Sequence, residues 1–237
     1  MCYNIAYLEK RAAKLAGRYI NVIPPDWKNR LAESELPQYY FVSGFAHPEL
    51  PVVTPKGVFI YRWGLIPFWV KDGGKARDIS QKTLNAVGAT VFEKPSFRRG
   101  IISGRCLLPV SGFFEWRHEG GKKLPYFIKS SEQEVFSLGC VSDTWTDPET
   151  GEVINTFSIV TTPANEMMEY IHNNKKRMPL VVRYEDEWSW VDPELEKEHI
   201  SALIKPCEEG MLRAWRVSPF VNSSRNERNV PAALEPI

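Results

Sequence analysis

The chain has 237 residues, which suits one large domain or two small ones, with 43% hydrophobic and 25% charged residues. This composition is ordinary for a globular protein and supplies enough apolar material for a sizeable core. The formal net charge is +1, so any binding of nucleic acid would depend on local basic clusters rather than on overall charge.

Membrane-spanning and secreted proteins are not expected from this sequence. No window approaches about 18 consecutive apolar residues, and charged residues interrupt residues 3–20. The cysteines are widely spaced and form neither a disulfide framework nor a zinc-binding pattern: Cys2, Cys106, Cys140 and Cys207. We therefore expect a reduced, cytoplasmic protein without a metal or another cofactor.

The first part of the chain is predicted to mix short strands and helices. Strands are predicted over residues 3–8, 38–45, 51–54 and 57–67, and helices over residues 9–17 and 26–36. The polar, glycine-rich residues 70–79 predict a mobile loop. Residues 82–92 predict a short helix that carries Asn85.

Strand patterns dominate from Gly104 onward. Four apolar runs separated by turn residues predict strands at 104–116, 124–129, 135–145 and 153–162. A helix opened by Pro163 follows at 164–171, then a strand at 178–184, a helix at 194–204, a strand at 211–217 and an irregular tail at 222–229. Because no linker or repeat divides the chain, we expect one α+β domain over residues 1–237, with a mainly antiparallel, barrel-like β core and peripheral helices.

Cys2 has the most distinctive potential chemistry. If Met1 is removed, one residue carries an α-amine and a thiol two carbons apart. The amine can condense with an aldehyde to an imine, and the thiol can then close a five-membered thiazolidine. Alternatively, Cys2 is a small apolar residue that begins a strand.

Four other polar residues each have a functional and a structural interpretation. Glu115 lies among three aromatic residues, where a carboxylate shielded from water is suited to proton transfer, or it faces water from a strand. His172 is either an acid–base group or a histidine favoured by a helix C-terminus. Asn85 is either a site residue or a helix cap. Arg177 is either part of a phosphate site or a surface charge.

The order of several motifs, however, resembles the SRAP family, the SOS-response-associated peptidases that process abasic sites in DNA. The motifs are Cys2, WGLIPFW at 63–69, TLNA at 83–86, FR at 97–98, RCLLP at 105–109, GFFEW at 112–116, TTPAN at 161–165, IH at 171–172 and RMP at 177–179. The resemblance is strongest over residues 2–182.

The resemblance implies a covalent reaction with an abasic site in single-stranded DNA. Cys2, after loss of Met1, would form a thiazolidine cross-link that protects the lesion. Asn85 would orient the amine or the sugar, Glu115 would shuttle protons, and His172 would act on the sugar hydroxyl. The residues that would bind DNA are Arg177, Trp63, Phe68, Trp69, Arg98 and Lys82.

The resemblance also implies a lyase-like activity and self-removal of Met1 as a peptidase, although housekeeping methionine removal would expose the same residue. We expect a monomer that associates with the nucleoid when bound to DNA. Family members usually read Asn-Ala-Arg-x-Glu-Thr where this chain has Val87 and Ala89. Loss of that arginine predicts weaker binding, with a salt dependence lower by about one unit of slope. The spacer between His172 and Arg177, residues 173–176, is also longer than in most family members.

Two functions from other classes remain open on the sequence alone. One is a non-covalent single-stranded DNA-binding protein whose reactive site has degraded at Val87 and Ala89. The other is an N-terminal-nucleophile amidohydrolase, in which the Cys2 amine serves as its own base.

Overall fold

The computed structural model of the protein describes residues 2–24 and 35–237. The strands are β1 Asn4–Tyr7, β2 Tyr39–Ser43, β3 Glu49–Thr54, β4 Gly57–Trp63, β5 Asn85–Val87, β6 Arg105–Val110, β7 Gly112–Glu119, β8 Lys122–Ser130, β9 Phe136–Thr146, β10 Val153–Pro163, β11 Arg177–Pro179, β12 Val181–Val182 and β13 Leu212–Arg216. The α-helices are α1 Ala12–Arg18, α2 Gly73–Lys82, α3 Gly100–Ser103, α4 Glu166–Ile171, α5 Glu187–Val191 and α6 Lys197–Leu203. The helix predicted over residues 26–36 falls almost wholly outside the described residues.

Five strands close into a barrel, in the order β3, β4, β10, β9, β6 and back to β3. Every neighbouring pair is antiparallel except β4 and β10, which run parallel. Closure leaves these strands without the exposed edges that promote aggregation. The prediction of an α+β fold with a mainly antiparallel, barrel-like core is confirmed. Within the described ranges, no helix combines the length and hydrophobicity that crossing a bilayer requires.

A second, fully antiparallel sheet has the order β13, β8, β7, β1, β2 and is joined to the barrel at Ser111. The Ser111 amide donates to the carbonyl of Ala6 at 2.9 Å, and its hydroxyl accepts from the amide of Leu8 at 3.0 Å. A Cβ at Gly112 would lie 2.2 Å from the ring of Phe127, so this close crossing requires glycine. The run predicted as one strand at 104–116 is therefore two strands, β6 and β7, on two sheets.

The prediction of a mobile loop over residues 70–79 is wrong, because helix α2 occupies most of this segment. Asp72 caps this helix by accepting a hydrogen bond from the Lys75 amide at 2.7 Å. The cap satisfies an amide in the first turn, where two glycines would otherwise disfavour helix formation.

The helix predicted over residues 82–92 is also wrong, since strand β5 and a 3₁₀ turn, Gly88–Thr90, lie there. Strand β5 runs parallel to β10, with Asn85 opposite Ile159 and Val87 opposite Thr161. Pairing with a strand far along the sequence overrides local helix propensity here. The result places Asn85 on the wall of the barrel.

The barrel interior contains thiols that are held in their neutral form. Cys106 and Cys140 lie opposite each other on β6 and β9 and are fully buried. Burial raises the pKa of Cys106 to about 12 and raises the pKa of Cys140 well above its usual range. In the unfolded chain these thiols would ionise near a pKa of about 8.5.

The free energy of unfolding should therefore decrease as the pH rises above about 8.5. The unfolded state loses the thiol protons while the folded state retains them, which gives a slope of up to ~1.4 kcal/mol per pH unit for each thiol. Urea unfolding at several pH values between 8 and 10 measures this slope. The variant Cys106→Ala should show a shallower slope than the unaltered protein, and an equal slope would contradict the explanation.

Candidate active site

Glu115 and His172 line one cleft beside the second sheet, whereas Cys2 is buried in the core and does not line it. Cys2 lies two residues before β1, Glu115 is on β7, and His172 directly follows α4. Strand β1 pairs with β7 with Asn4 opposite Phe114, and this register brings the start of the chain alongside Glu115. The interpretation of Glu115 as a water-facing strand residue is wrong, because only 3% of it is exposed.

His172 is held in one orientation and one tautomer. Its Nδ1 lies 2.7 Å from the carbonyl oxygen of Arg177. A carbonyl only accepts hydrogen bonds, so Nδ1 carries the proton and Nε2 is left toward the cleft. Nε2 lies 4.0 Å from a carboxylate oxygen of Glu115. An acid–base pair of this kind can transfer protons to and from a small molecule that enters the cleft beside them.

The spacer between His172 and Arg177 folds into a tight turn. The amide of Lys176 donates to the carbonyl of His172 at 2.9 Å, and Lys176 has a positive φ of 47°. Arg177 then begins β11, and its guanidinium donates to the hydroxyl of Thr161 on β10. Because Thr161 is opposite Val87, the guanidinium is held next to the strand that also carries Asn85.

Asn85 presents an unusual buried carboxamide. Its side-chain nitrogen and oxygen are both inaccessible to water and form no hydrogen bond within the described part of the chain. A buried amide without partners is costly, by roughly 1–3 kcal/mol for each group. Such a cost is typical of a residue whose partner is a bound molecule.

The thiol of Cys2 is fully buried and lies among core residues of the barrel and the second sheet. Burial raises its pKa, and the negative charge of Glu115 raises it further. The resting thiol is therefore neutral. A thiol that must lose its proton needs a base, and the pairing of β1 with β7 brings Glu115 to the same end of the sheet as Cys2.

One predicted DNA contact has to be corrected. Trp63 is fully buried, its indole N–H donates to the carbonyl of Leu84 at 2.8 Å, and its ring stacks on Phe157. It cannot offer a face to a base. Its contact with Leu84 instead fixes the segment that leads into Asn85.

Four of the predicted DNA-binding residues are exposed but do not line the cleft: Phe68, Trp69, Lys82 and Arg98. The ring of Phe68 lies under the guanidinium of Arg99, 4.3 Å from centroid to Cζ, and Trp69 follows it. Lys82 ends helix α2, and Arg98 precedes helix α3. That these four side chains contact DNA stays a prediction. They would touch parts of the strand that lie outside the cleft.

Tyr3 is a cleft residue that sequence reasoning did not select. It is half-buried, and burial, with a further contribution from Glu115, raises the pKa of its phenol, while Arg177 opposes this shift. Tyr3 and Glu115 line the same cleft. The sequence feature that could have identified Tyr3 was its position next to Cys2, at the start of a predicted strand.

A profile of the SOS response associated peptidase (SRAP) family matches residues 5–224. The chain belongs to the SRAP family. Among SRAP relatives, the abasic site processing protein YoqW of Bacillus subtilis is 38% identical over 176 residues, which are 73% of this chain and 74% of YoqW. The abasic site processing protein HMCES of Gallus gallus is 32% identical over 197 residues, covering 74% of this chain and 56% of HMCES.

Solved structures share the fold of this chain. A crystal structure of a protein from Bacteroides thetaiotaomicron has a TM-score of 0.89 and 38% identity, with both chains fully covered. A protein from Bordetella bronchiseptica has a TM-score of 0.74 at 18% identity, covering 92% of this chain and 100% of that one, and this match supports the fold alone.

Proposed function

We propose that this protein processes abasic sites in single-stranded DNA by forming a covalent thiazolidine cross-link through Cys2, and so protects the lesion. The observation that carries the proposal is the pairing of β1 with β7, which brings the start of the chain alongside a buried carboxylate–imidazole pair, Glu115 and His172. The names of the SRAP relatives support an abasic site as the substrate.

The reaction requires that Met1 be removed, so that Cys2 carries a free α-amine. The amine attacks C1′ of the ring-opened deoxyribose, and the resulting carbinolamine loses water to give an imine. The thiol then adds to the imine carbon, which forms the C–S bond, and the thiol proton passes to nitrogen. One aldehyde and one aminothiol are consumed, and one thiazolidine and one water are produced.

Three side chains are assigned to these steps. His172 exchanges a proton with the sugar hydroxyl and promotes ring opening, since its Nε2 is left toward the cleft. Glu115 carries protons during loss of water and ring closure. The unpartnered carboxamide of Asn85 orients the amine or the sugar. The same thiol and carboxylate would serve hydrolysis of the Met1–Cys2 bond, which is the proposed peptidase activity.

Arg177 is proposed to bind the phosphate beside the lesion. At position 87, this chain has valine where family members usually have an arginine that would contact DNA phosphate. Since Val87 is opposite Thr161, which binds Arg177, an arginine at position 87 would add a second cation there. The variant Val87→Arg should bind single-stranded DNA more tightly, with a salt slope steeper by about 0.7. Anisotropy titrations at several salt concentrations measure this, and an unchanged slope would contradict the placement.

The experiment that tests the proposed function is incubation with an oligonucleotide that contains one abasic site, followed by a denaturing gel. Intact mass first establishes that Met1 is absent. A shifted band is expected with the aldehyde form of the lesion and not with a reduced abasic site, which has no aldehyde. Binding seen only in a native gel would favour the non-covalent protein, and no binding at all would favour the amidohydrolase.

A further inference from the structure

The cleft beside Glu115 and His172 is larger than one abasic sugar requires. Its volume is about 790 Å³, which lies in the range that holds a drug-sized ligand. Its lining includes Tyr3, the turn residue Phe45 and the tail residue Arg228. The space beyond the reacting groups therefore has room for a neighbouring nucleotide.

An exposed aromatic ring lies at one wall of this cleft. Phe45 is 62% exposed, and its ring centroid is 4.9 Å from that of Tyr3. Phe45 occupies the middle of a 3₁₀ turn, Gly44–Ala46. The turn is held on the barrel, because His47 Nδ1 lies 2.8 Å from the carbonyl of Trp63 and a Cβ at Gly44 would contact the Trp63 ring at 2.9 Å. A fixed, exposed aromatic face beside a reactive site is suited to stacking.

The charge of the cleft is more positive than that of the chain as a whole. The sequence has 30 Lys and Arg against 29 Asp and Glu. Among the described residues that line the cleft, Glu115 is the single acid, whereas the lysine and arginine side chains are Lys123, Lys175 and Arg228. Lys175 makes no ion pair within the described ranges, and the guanidinium of Arg228 is held 4.4 Å over the ring of Phe41. Cations around an aromatic platform favour a nucleic-acid strand as the occupant.

We propose that Phe45 stacks on the base of the nucleotide next to the abasic residue, and that Lys175 contacts its phosphate. This inference deepens the proposed function and rests on it. Stacking of this neighbour would hold the strand so that the abasic sugar lies in the cleft beside Glu115 and His172. Phe45 is thus a positioning residue, which acts through the bound strand and not on the reacting atoms.

The test uses two oligonucleotides that share a central reduced abasic site, so that only non-covalent binding is measured. One has normal bases beside the lesion, and the other has a base-free residue on each side. The variant Phe45→Ala should bind the first about fivefold or more weakly than the unaltered protein and should bind the second equally well. Phe45→Trp should restore binding to the first, and Trp188→Ala, an exposed aromatic outside the cleft, should change neither.

Equal binding of Phe45→Ala and the unaltered protein to both oligonucleotides would overturn the stacking assignment, as would an equal loss on both. A parallel incubation with the aldehyde form of the lesion separates the two proposals. If no covalent product forms while the binding difference persists, the cross-linking function fails and the stacking assignment stands. If the unaltered protein binds neither oligonucleotide, the stacking assignment fails, and the parallel incubation alone decides the cross-linking function.

Discussion

Replacement of Cys2 by serine is expected to abolish the denaturation-resistant cross-link while leaving the first chemical step intact. Serine keeps the α-amine after removal of Met1, so an imine with the abasic aldehyde can still form. Without the thiol, the ring is not closed and the imine hydrolyses during denaturation. The predicted yield of stable product is therefore at the background level, whereas the unaltered protein converts most of the lesion.

Borohydride added during the incubation distinguishes the two steps of this reaction. It should reduce the imine of Cys2→Ser to a stable amine and restore a shifted band. Cys207→Ser is the matched control, because Cys207 is a buried cysteine outside the cleft and its loss should leave the cross-link unchanged. A stable cross-link from Cys2→Ser without borohydride would refute the thiazolidine mechanism, and failure to trap an imine would refute attack by the amine.

Replacement of Arg105 by methionine should cause the largest loss of stability among single substitutions considered for this protein. Arg105 is 4% exposed, and its guanidinium donates to the carbonyls of Ile101 and Ile102 in α3 at 2.7 Å. It also donates to the carbonyls of Trp190, at 2.7 Å, and Asp192 at the end of α5. One buried cation thus satisfies four carbonyls at the C-terminal ends of two helices, where the helix dipole is negative.

Methionine fills a similar volume but leaves those carbonyls without donors, so we expect a loss of about 3–5 kcal/mol in the free energy of unfolding. For a chain of this size that corresponds to a fall in Tm of roughly 10 °C. The free energy of unfolding of Arg105→Lys should lie between those of Arg105→Met and the unaltered protein, because lysine keeps the charge without the planar fork of donors. Arg225→Met, at an exposed position, is the control, and a loss below about 1 kcal/mol for Arg105→Met would contradict this role.

Local patterns were sufficient for much of the fold because most strands have a strongly apolar, β-branched sequence. The strands at β1, β4, β8, β9, β10 and β13 lie close to their predicted positions. Local patterns failed where distant contacts decide the outcome. Residues 85–87 form a strand because β10 pairs with them. The run at 104–116 divides into two strands at Ser111, whose amide donates a hydrogen bond to β1.

The sequence by itself determined the chemistry available to this protein: a cysteine behind the initiator methionine, with Asn85, Glu115, His172 and Arg177 in the motifs of one family. Only the tertiary structure decided that Glu115 faces inward beside His172 and that Trp63 lies in the core while Phe45 is exposed at the cleft. The physical reason is that residue type fixes acidity and nucleophilicity, whereas burial and neighbours depend on strand pairings between residues far apart in the chain.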